Sequence, residues 1–164
     1  MNTSTFPKNT LRFSGWIMAV ACVILFAYEA VGMADPKPVS EKTDSLVERQ
    51  NVPTHLLAKG MAEAQVLLDK SNGLNSAALS MVSGKSGWAV PEHRHPEADE
   101  ILYVLEGGGK LTLNGQQIKI QADTAVFIPK NAPHSFIAGD QGIRALQVYA
   151  PGGPEQRFLK APTK

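Results

Sequence analysis

From residue 77 to residue 149, apolar and polar side chains alternate in short runs separated by Gly, Pro, Asn and Asp, the period of half-buried strands rather than of helices. Residues 77–82 predict one strand, and residues 100–106 a second that is stopped by Gly107-Gly108-Gly109. Residues 110–113 and 117–120 alternate cleanly around Asn114-Gly115. Both turn residues tolerate the positive φ of a type I′ turn, so these runs predict a hairpin. Residues 124–128 predict a strand ended by Pro129, and residues 134–138 and 143–149 predict a pair across Gly139-Asp140-Gln141-Gly142. Upstream, Leu57, Met61, Ala64 and Leu68 recur at three- and four-residue steps and predict a short helix over 56–68. Gly60 weakens that helix, and Val66-Leu67-Leu68 reads equally as a strand. Downstream, Pro151-Gly152-Gly153-Pro154 ends the sheet, and Phe158 and Leu159 are placed to pack back on it. Short strands at this spacing predict an all-β sandwich or barrel.

The first 34 residues follow another pattern. Residues 1–15 hold Lys8 and Arg12 and no acid, Trp16 to Tyr28 carry no charge, and Gly32-Met33-Ala34 places small residues before Asp35-Pro36. This order predicts a signal peptide over residues 1–34, cleaved after Ala34. An uncleaved membrane anchor is the alternative, although the uncharged run is shorter than the roughly 20 apolar residues of a spanning helix and Glu29 blocks its extension. Ala19-Val20-Ala21-Cys22 faintly resembles a lipoprotein box, but the apolar run continues past the cysteine. No twin arginine is present, which favours export of an unfolded chain. Residues 35–52, with Pro36, Pro38 and several charges, predict a linker or loose arm. Residues 53–164 remain as the folded domain. The expected location is periplasmic or secreted, or membrane-anchored facing the envelope if the segment is retained.

Length and charge narrow the function classes. A chain of 164 residues predicts one core domain. The formal net charge is +1, and no basic stripe with interleaved aromatics appears, so nucleic acid is not an expected partner. Cleavage after Ala34 would remove Cys22, the only cysteine, leaving a domain with neither thiol nor disulfide. It would also remove Lys8, Arg12 and Glu29, leaving 14 basic and 14 acidic residues of the original 16 and 15.

Histidine is scarce, and three of the four fall in two short stretches. His93 and His95 are two apart, so on an extended chain both imidazoles point to one face. Glu100 lies five residues on, past Pro96, where the next strand begins, and His134 follows the turn Pro129-Lys130-Asn131-Ala132-Pro133. Three imidazoles and a carboxylate without sulfur suit iron, manganese, nickel, copper or zinc, with coordination positions left open. A lone His-x-His is weak evidence for a metal site. The whole arrangement is not: Gly87-x5-His93-x-His95-x4-Glu100-x6-Gly107, followed by x5-Pro129-x-Asn131-x2-His134, resembles the two motifs of the cupin family. The resemblance is strongest over residues 87–136 and is to a small single-domain cupin of the conserved-barrel type. It implies a jelly-roll β-barrel of six or more strands with one divalent transition metal inside. It also implies that His93, His95, Glu100 and His134 are the ligands. Three positions depart from the motif: Asp123 and Asn131 stand where glycine is usual, and Ala138 where asparagine is usual. Asp and Asn tolerate left-handed backbone, so the turns should survive, and none of the three is a ligand.

Among neighbouring residues, Asp99 competes with Glu100 as the carboxylate ligand, but only Glu100 keeps six residues before Gly107. Glu92 and Glu97 read as solvated charges, and His55 as an ordinary surface histidine. Tyr103 is out of phase with Glu100 and should face away from the metal. Leu102 and Val104 are in phase and, with Met81, Phe127 and Phe136, suggest an apolar pocket or simply the core. No nucleophile-elbow serine, P-loop or dinucleotide fingerprint is present.

The resemblance implies a metalloenzyme acting on a small organic substrate: a dioxygenase above all, or an isomerase, lyase or decarboxylase. Glu100 would double as a labile ligand or base. The alternative is a non-catalytic envelope protein that binds a metal or small ligand. Metal acquired outside the cytoplasm favours copper or zinc over iron and manganese by intrinsic affinity. A homodimer is a further expectation from the resemblance.

Overall fold

A computed structural model describes residues 46–164, so the signal peptide expected over residues 1–34 and residues 35–45 of the expected linker lie outside the described residues. Eight strands follow in order: β1 (His55–Leu57), β2 (Ala62–Leu68), β3 (Ala78–Gly84), β4 (Ala89–His93), β5 (Asp99–Leu113), β6 (Gln116–Gln121), β7 (Thr124–Ile128) and β8 (His134–Ala150). The remaining regular structure is short 3-10 turns. No helix of the described residues is long and apolar enough to cross a membrane.

All pairings are antiparallel, in the order β1-β2-β3-β8-β5-β6, with β4 added on β8 and β7 on β5. The all-β expectation holds, but the sheet does not close, which corrects the barrel. Within the sheet β1 pairs only with β2, β4 only with β8, and β6 and β7 only with β5, so none of these four outer strands pairs with another to close the ladder. The two longest strands produce the curvature instead. The first half of β5 pairs with the second half of β8, and the second half of β5 with the first half of β8. Register shifts between Val104 and Glu106 and between Gly107 and Gly109 mark bulges where the strands bend. Two leaves result, one of β1, β2, β3 and β7 and one of β4 and β6, both continued through β5 and β8. Val104, Leu111, Ile120, Ile128, Phe136 and Ala145 from both leaves form the buried core between them.

The bends also explain two glycine runs that the sequence marks as turns. Gly107 to Gly109 do not stop a strand, and residues 139–142 do not form a hairpin; β5 and β8 run through both. Gly107 (φ 68°) and Gly142 (φ 67°) sit where the strands cross most closely. A Cβ on Gly107 would lie 2.1 Å from the Gly142 carbonyl oxygen. These glycines permit close approach rather than reversal.

The helix expected over 56–68 is absent. Ala58, Lys59 and Gly60 take φ of 49°, 56° and 83°, which no α-helix accommodates, and the segment forms β1, a turn and β2. The strand reading of Val66-Leu67-Leu68 holds. The Asn114-Gly115 hairpin and the 124–128 strand also form as expected, and Asp123 and Asn131 adopt the left-handed backbone, at φ 60° and 62°. Residues 49–52 are held on β2 by the Gln65 side chain, which donates to the Arg49 and Val52 carbonyls at 3.1 and 2.8 Å.

His55 is not a surface residue. It is buried, its Nδ1 lies 3.1 Å from the Ala161 carbonyl, and it bridges to Thr163. The C-terminal turn (Pro154–Lys160) is anchored in the same region: Phe158 packs on Ala64 and Val82, and Gln156 donates to buried Asp69 at 2.9 Å.

Candidate metal centre

Antiparallel pairing brings the first and last histidines of the motif together. His93 ends β4 and His134 opens β8, and the two are directly opposed in the ladder. His95 sits just past β4 in a loop whose carbonyl accepts from the Asn131 N–H at 2.8 Å, so the two motif loops are fastened to each other. Glu100 enters from β5. The structure thus places one ligand atom of each of His93, His95, Glu100 and His134 within 4.8 Å of the others.

The donor set fits a metal ion. His95 Nε2, Glu100 Oε2 and His134 Nε2 are buried and have no hydrogen-bond partner. They nonetheless approach one another: Glu100 Oε2 is 3.0 Å from His95 Nε2 and 3.3 Å from His134 Nε2, in geometry that makes no hydrogen bond. Buried polar atoms without partners are costly, and a shared cation satisfies all three. Two of the other ring nitrogens are committed. Nδ1 of His93 lies 2.9 Å from the Pro91 carbonyl, and Nδ1 of His134 lies 2.9 Å from the Ala132 carbonyl. A carbonyl can only accept, so Nδ1 donates, which leaves the Nε2 lone pair free for a metal.

Charge in the cluster is tuned by these neighbours. Burial alone would raise the Glu100 carboxyl, but the adjoining His134 and His95 rings and the Gln147 amide outweigh it and hold it at about 2. Burial lowers His93, helped by the nearby charges of His134, Arg157 and His95. Burial also opposes protonation of His134, yet the Glu100 carboxylate and the Ala132 carbonyl leave it above the ordinary histidine value.

Asp99 does not join the cluster. Its Oδ1 accepts from the Lys130 N–H at 2.8 Å, a loop-fixing role. Glu92 and Glu97 are exposed, and Tyr103 faces outward, as expected. Beside the cluster lies a cavity of about 560 Å³, walled by Trp88, Val90, Leu102, Leu111, Phe136 and Ile143. Phe127 and Met81 do not contribute to it. Phe127 is one residue out of phase with Ile128, which opposes Glu100, and it is 57% exposed; Met81 lies between inward-facing Ser80 and Val82.

Three residues near the cluster escaped the reading of the chain. Gln147 donates from Nε2 to Glu100 Oε1 at 2.6 Å and is buried. It alternates with Ala145 and Tyr149 on the inner face of β8, so a polar residue in an otherwise apolar phase was the available signal. The ring of Tyr149 stands edge-on to His95, with centroids 4.8 Å apart. Arg157 donates to the Tyr149 hydroxyl at 3.0 Å and lines the cavity.

Comparison with known proteins agrees with this geometry. Residues 80–152 match the family model described as a cupin domain. The tetracenomycin polyketide synthase protein TcmJ of Streptomyces glaucescens is 30% identical over 82 residues, 50% of this chain and 54% of that protein. The dimethylsulfoniopropionate lyase DddW of Ruegeria pomeroyi is 36% identical over 83 residues, 48% and 54% of the two chains. The chain spans about half the length of the curated relatives it matches. Among solved structures, the polyketide cyclase RemF of Streptomyces resistomycificus superposes with a TM-score of 0.59 at 26% identity, over 73% of this chain and 82% of that one. The described residues form one cupin-fold domain with a cluster able to hold a divalent metal.

Proposed function

We propose that this protein is an exported metalloenzyme that transforms a small, largely apolar organic molecule. The carrying observation is the placement of three partnerless, buried ligand atoms beside a mostly apolar cavity of about 560 Å³. A purely structural metal site is normally closed by protein ligands on every side, whereas this cluster borders open space.

His93, His95, Glu100 and His134 are the ligands in this reading, and a bound divalent ion supplies Lewis acidity at the polar end of the cavity. The protein's part is orientation. The Pro91 and Ala132 carbonyls fix the His93 and His134 rings, and Gln147 holds one carboxylate oxygen of Glu100 while the other faces the cluster. Glu100, as the carboxylate of the set, takes the base role in this reading. The apolar walls exclude water and select the body of the substrate. Relatives named as a lyase and as polyketide-pathway proteins support chemistry on small organic molecules without choosing a reaction. Export rests on the order of charged, apolar and small residues over 1–34, and the mature domain would be residues 35–164.

Metal analysis of protein isolated from the cell envelope, with N-terminal sequencing of the same sample, tests both parts. One copper or zinc per chain and a start at Asp35 are expected. Iron alone would overturn the metal assignment, and an intact Met1 the cleavage. Turnover of phenolic or 1,3-dicarbonyl compounds supports catalysis; tight retention of such compounds without turnover, with every metal tried, would make the domain a binding protein.

A further inference from the structure

The cavity has a second polar feature beside the cluster. Arg157 reaches it from the C-terminal turn, with its guanidinium carbon 4.9 Å from the Phe158 ring centre and 5.8 Å from that of Tyr149. The turn is firmly held: Glu155 is buried and accepts from the Gly153 N–H at 2.6 Å, Gln156 is bonded to Asp69, and Phe158 is packed in the core. Among the described residues no carboxylate lies within 4.0 Å of the guanidinium. Its one side-chain hydrogen bond is to the Tyr149 hydroxyl. The acids nearby are otherwise engaged. Glu100 belongs to the metal cluster, Glu155 is tied to its own turn, and Glu92 is exposed at the cavity wall. Four of the five guanidinium N–H donors are therefore not used by side chains.

Arg157 is itself exposed, but it borders an apolar cavity from a held turn and has no carboxylate partner, which makes it a binding site for an anion. We propose that Arg157 makes the cavity selective for an organic anion, taking a carboxylate or enolate oxygen of the substrate while the apolar body packs against Trp88, Leu102 and Phe136. This rests on the reading of the cavity as a substrate site. It adds a substrate class, an apolar acid, and a residue that determines it. Arg suits the role better than Lys because its planar fork meets a carboxylate in two parallel bonds, and the Tyr149 hydroxyl and the Phe158 ring hold its position.

Calorimetric titration of the full chain with 2-naphthoate and its neutral analogue 2-naphthamide tests this, on both zinc-loaded and EDTA-stripped protein. Wild type should prefer the carboxylate by on the order of ten- to a hundred-fold, the range of a charge-assisted hydrogen bond. Arg157→Leu should abolish the preference and Arg157→Lys retain part of it, with zinc per chain unchanged in both. Added salt should weaken the carboxylate alone, a check on wild type that does not depend on either variant folding. A preference that survives Arg157→Leu would mean that the metal, not Arg157, binds the anion, and would overturn the proposal; so would equal binding of the two probes by wild type. An Arg157-dependent preference in the stripped protein of a chain that never holds zinc would leave this inference standing while the metal reading fell.

Discussion

The two faces of β5 divide into different chemistries at one-residue intervals. Glu100 and Val104 turn inward and are buried, and Leu102 lines the cavity; Ile101 and Tyr103 turn outward and are 43% and 41% exposed. The outward phase continues across neighbouring strands in register. Leu79, Val148, Ile101 and Phe127 form one apolar row, and Met81, Leu146, Tyr103 and Ala125 a second. At the cluster, though not in the apolar core beside it, burial does not follow polarity. The inner face carries a carboxylate, three imidazoles and an amide, while the outer face is largely apolar. A stability argument alone would place them the other way round. The inner arrangement is intelligible as a site that a metal completes.

The largest effect should come from breaking the inner face at the cluster. Replacing His95 or His134 with Ala should reduce bound metal from about one per chain to near none, because at most three ligands then remain. Elemental analysis of the purified variants reads this directly. Retained stoichiometric metal would disprove the ligand set. Cutting the apolar part of the same face is a matter of stability instead: Leu111→Ala should cost ~2–5 kcal/mol in denaturant unfolding, the range for a buried leucine, since Leu111 is 1% exposed and packs between both leaves.

Gln147→Leu sharpens the comparison, because it removes a partner of a ligand and not a ligand. Metal affinity should fall by roughly 10–100-fold, the usual effect of losing a ligand's outer hydrogen bond. The competition of the metal-bound protein with a chelator measures it. A fall no larger than that of a distant control would show that Gln147 merely fills space.

Acid should separate the faces in metal-free protein as well. The folded Glu100 value is held at about 2, below the ~4.3 of an unfolded chain. Its contribution is therefore present above the unfolded value and is lost as pH falls through the folded one. His134 works in the opposite sense. Its raised value gives stability that is present below the ordinary histidine range and is lost as pH rises through the folded value. Unfolding of Glu100→Gln should lose the acid-side dependence, and a profile identical to wild type between pH 2 and 4 would refute the coupling.

How much of this was visible along the chain depends on range. Hairpin Asn114-Gly115 and the 124–128 strand are local, set by alternation and turn chemistry, and they form as the pattern predicts. The four cluster residues were found by their spacing, which the strands convert into proximity. Gly107 to Gly109 misled because glycine serves turns and bulges alike, and only the crossing of β5 over β8 distinguishes the two uses. The barrel expectation failed for a related reason: alternation sets which side faces inward, not whether the last strands find each other. Gln147 depends on a bond to Glu100, 47 positions away, and Arg157 on a C-terminal turn anchored to Asp69, 87 positions from Gln156; no short window contains either.

The smallest effect belongs to the outer face, and it is the sharpest test of the contrast. Ile101 is the immediate neighbour of Glu100 on the same strand, yet its side chain opposes Phe127 and Val148 on the solvent side. Ile101→Ser and Phe127→Ser should each change stability by no more than ~0.5 kcal/mol, as exposed positions do, and leave metal content unaltered. Thermal unfolding alongside elemental analysis suffices to check this. A large destabilisation from either would mean that the outward rows are covered in the native protein and that the two faces are both interiors. Loss of metal from Ile101→Ser would mean that the strand transmits strain to Glu100 through its backbone. With neither, the alternation of β5 alone separates a metal-binding surface from an ordinary one across a single peptide unit.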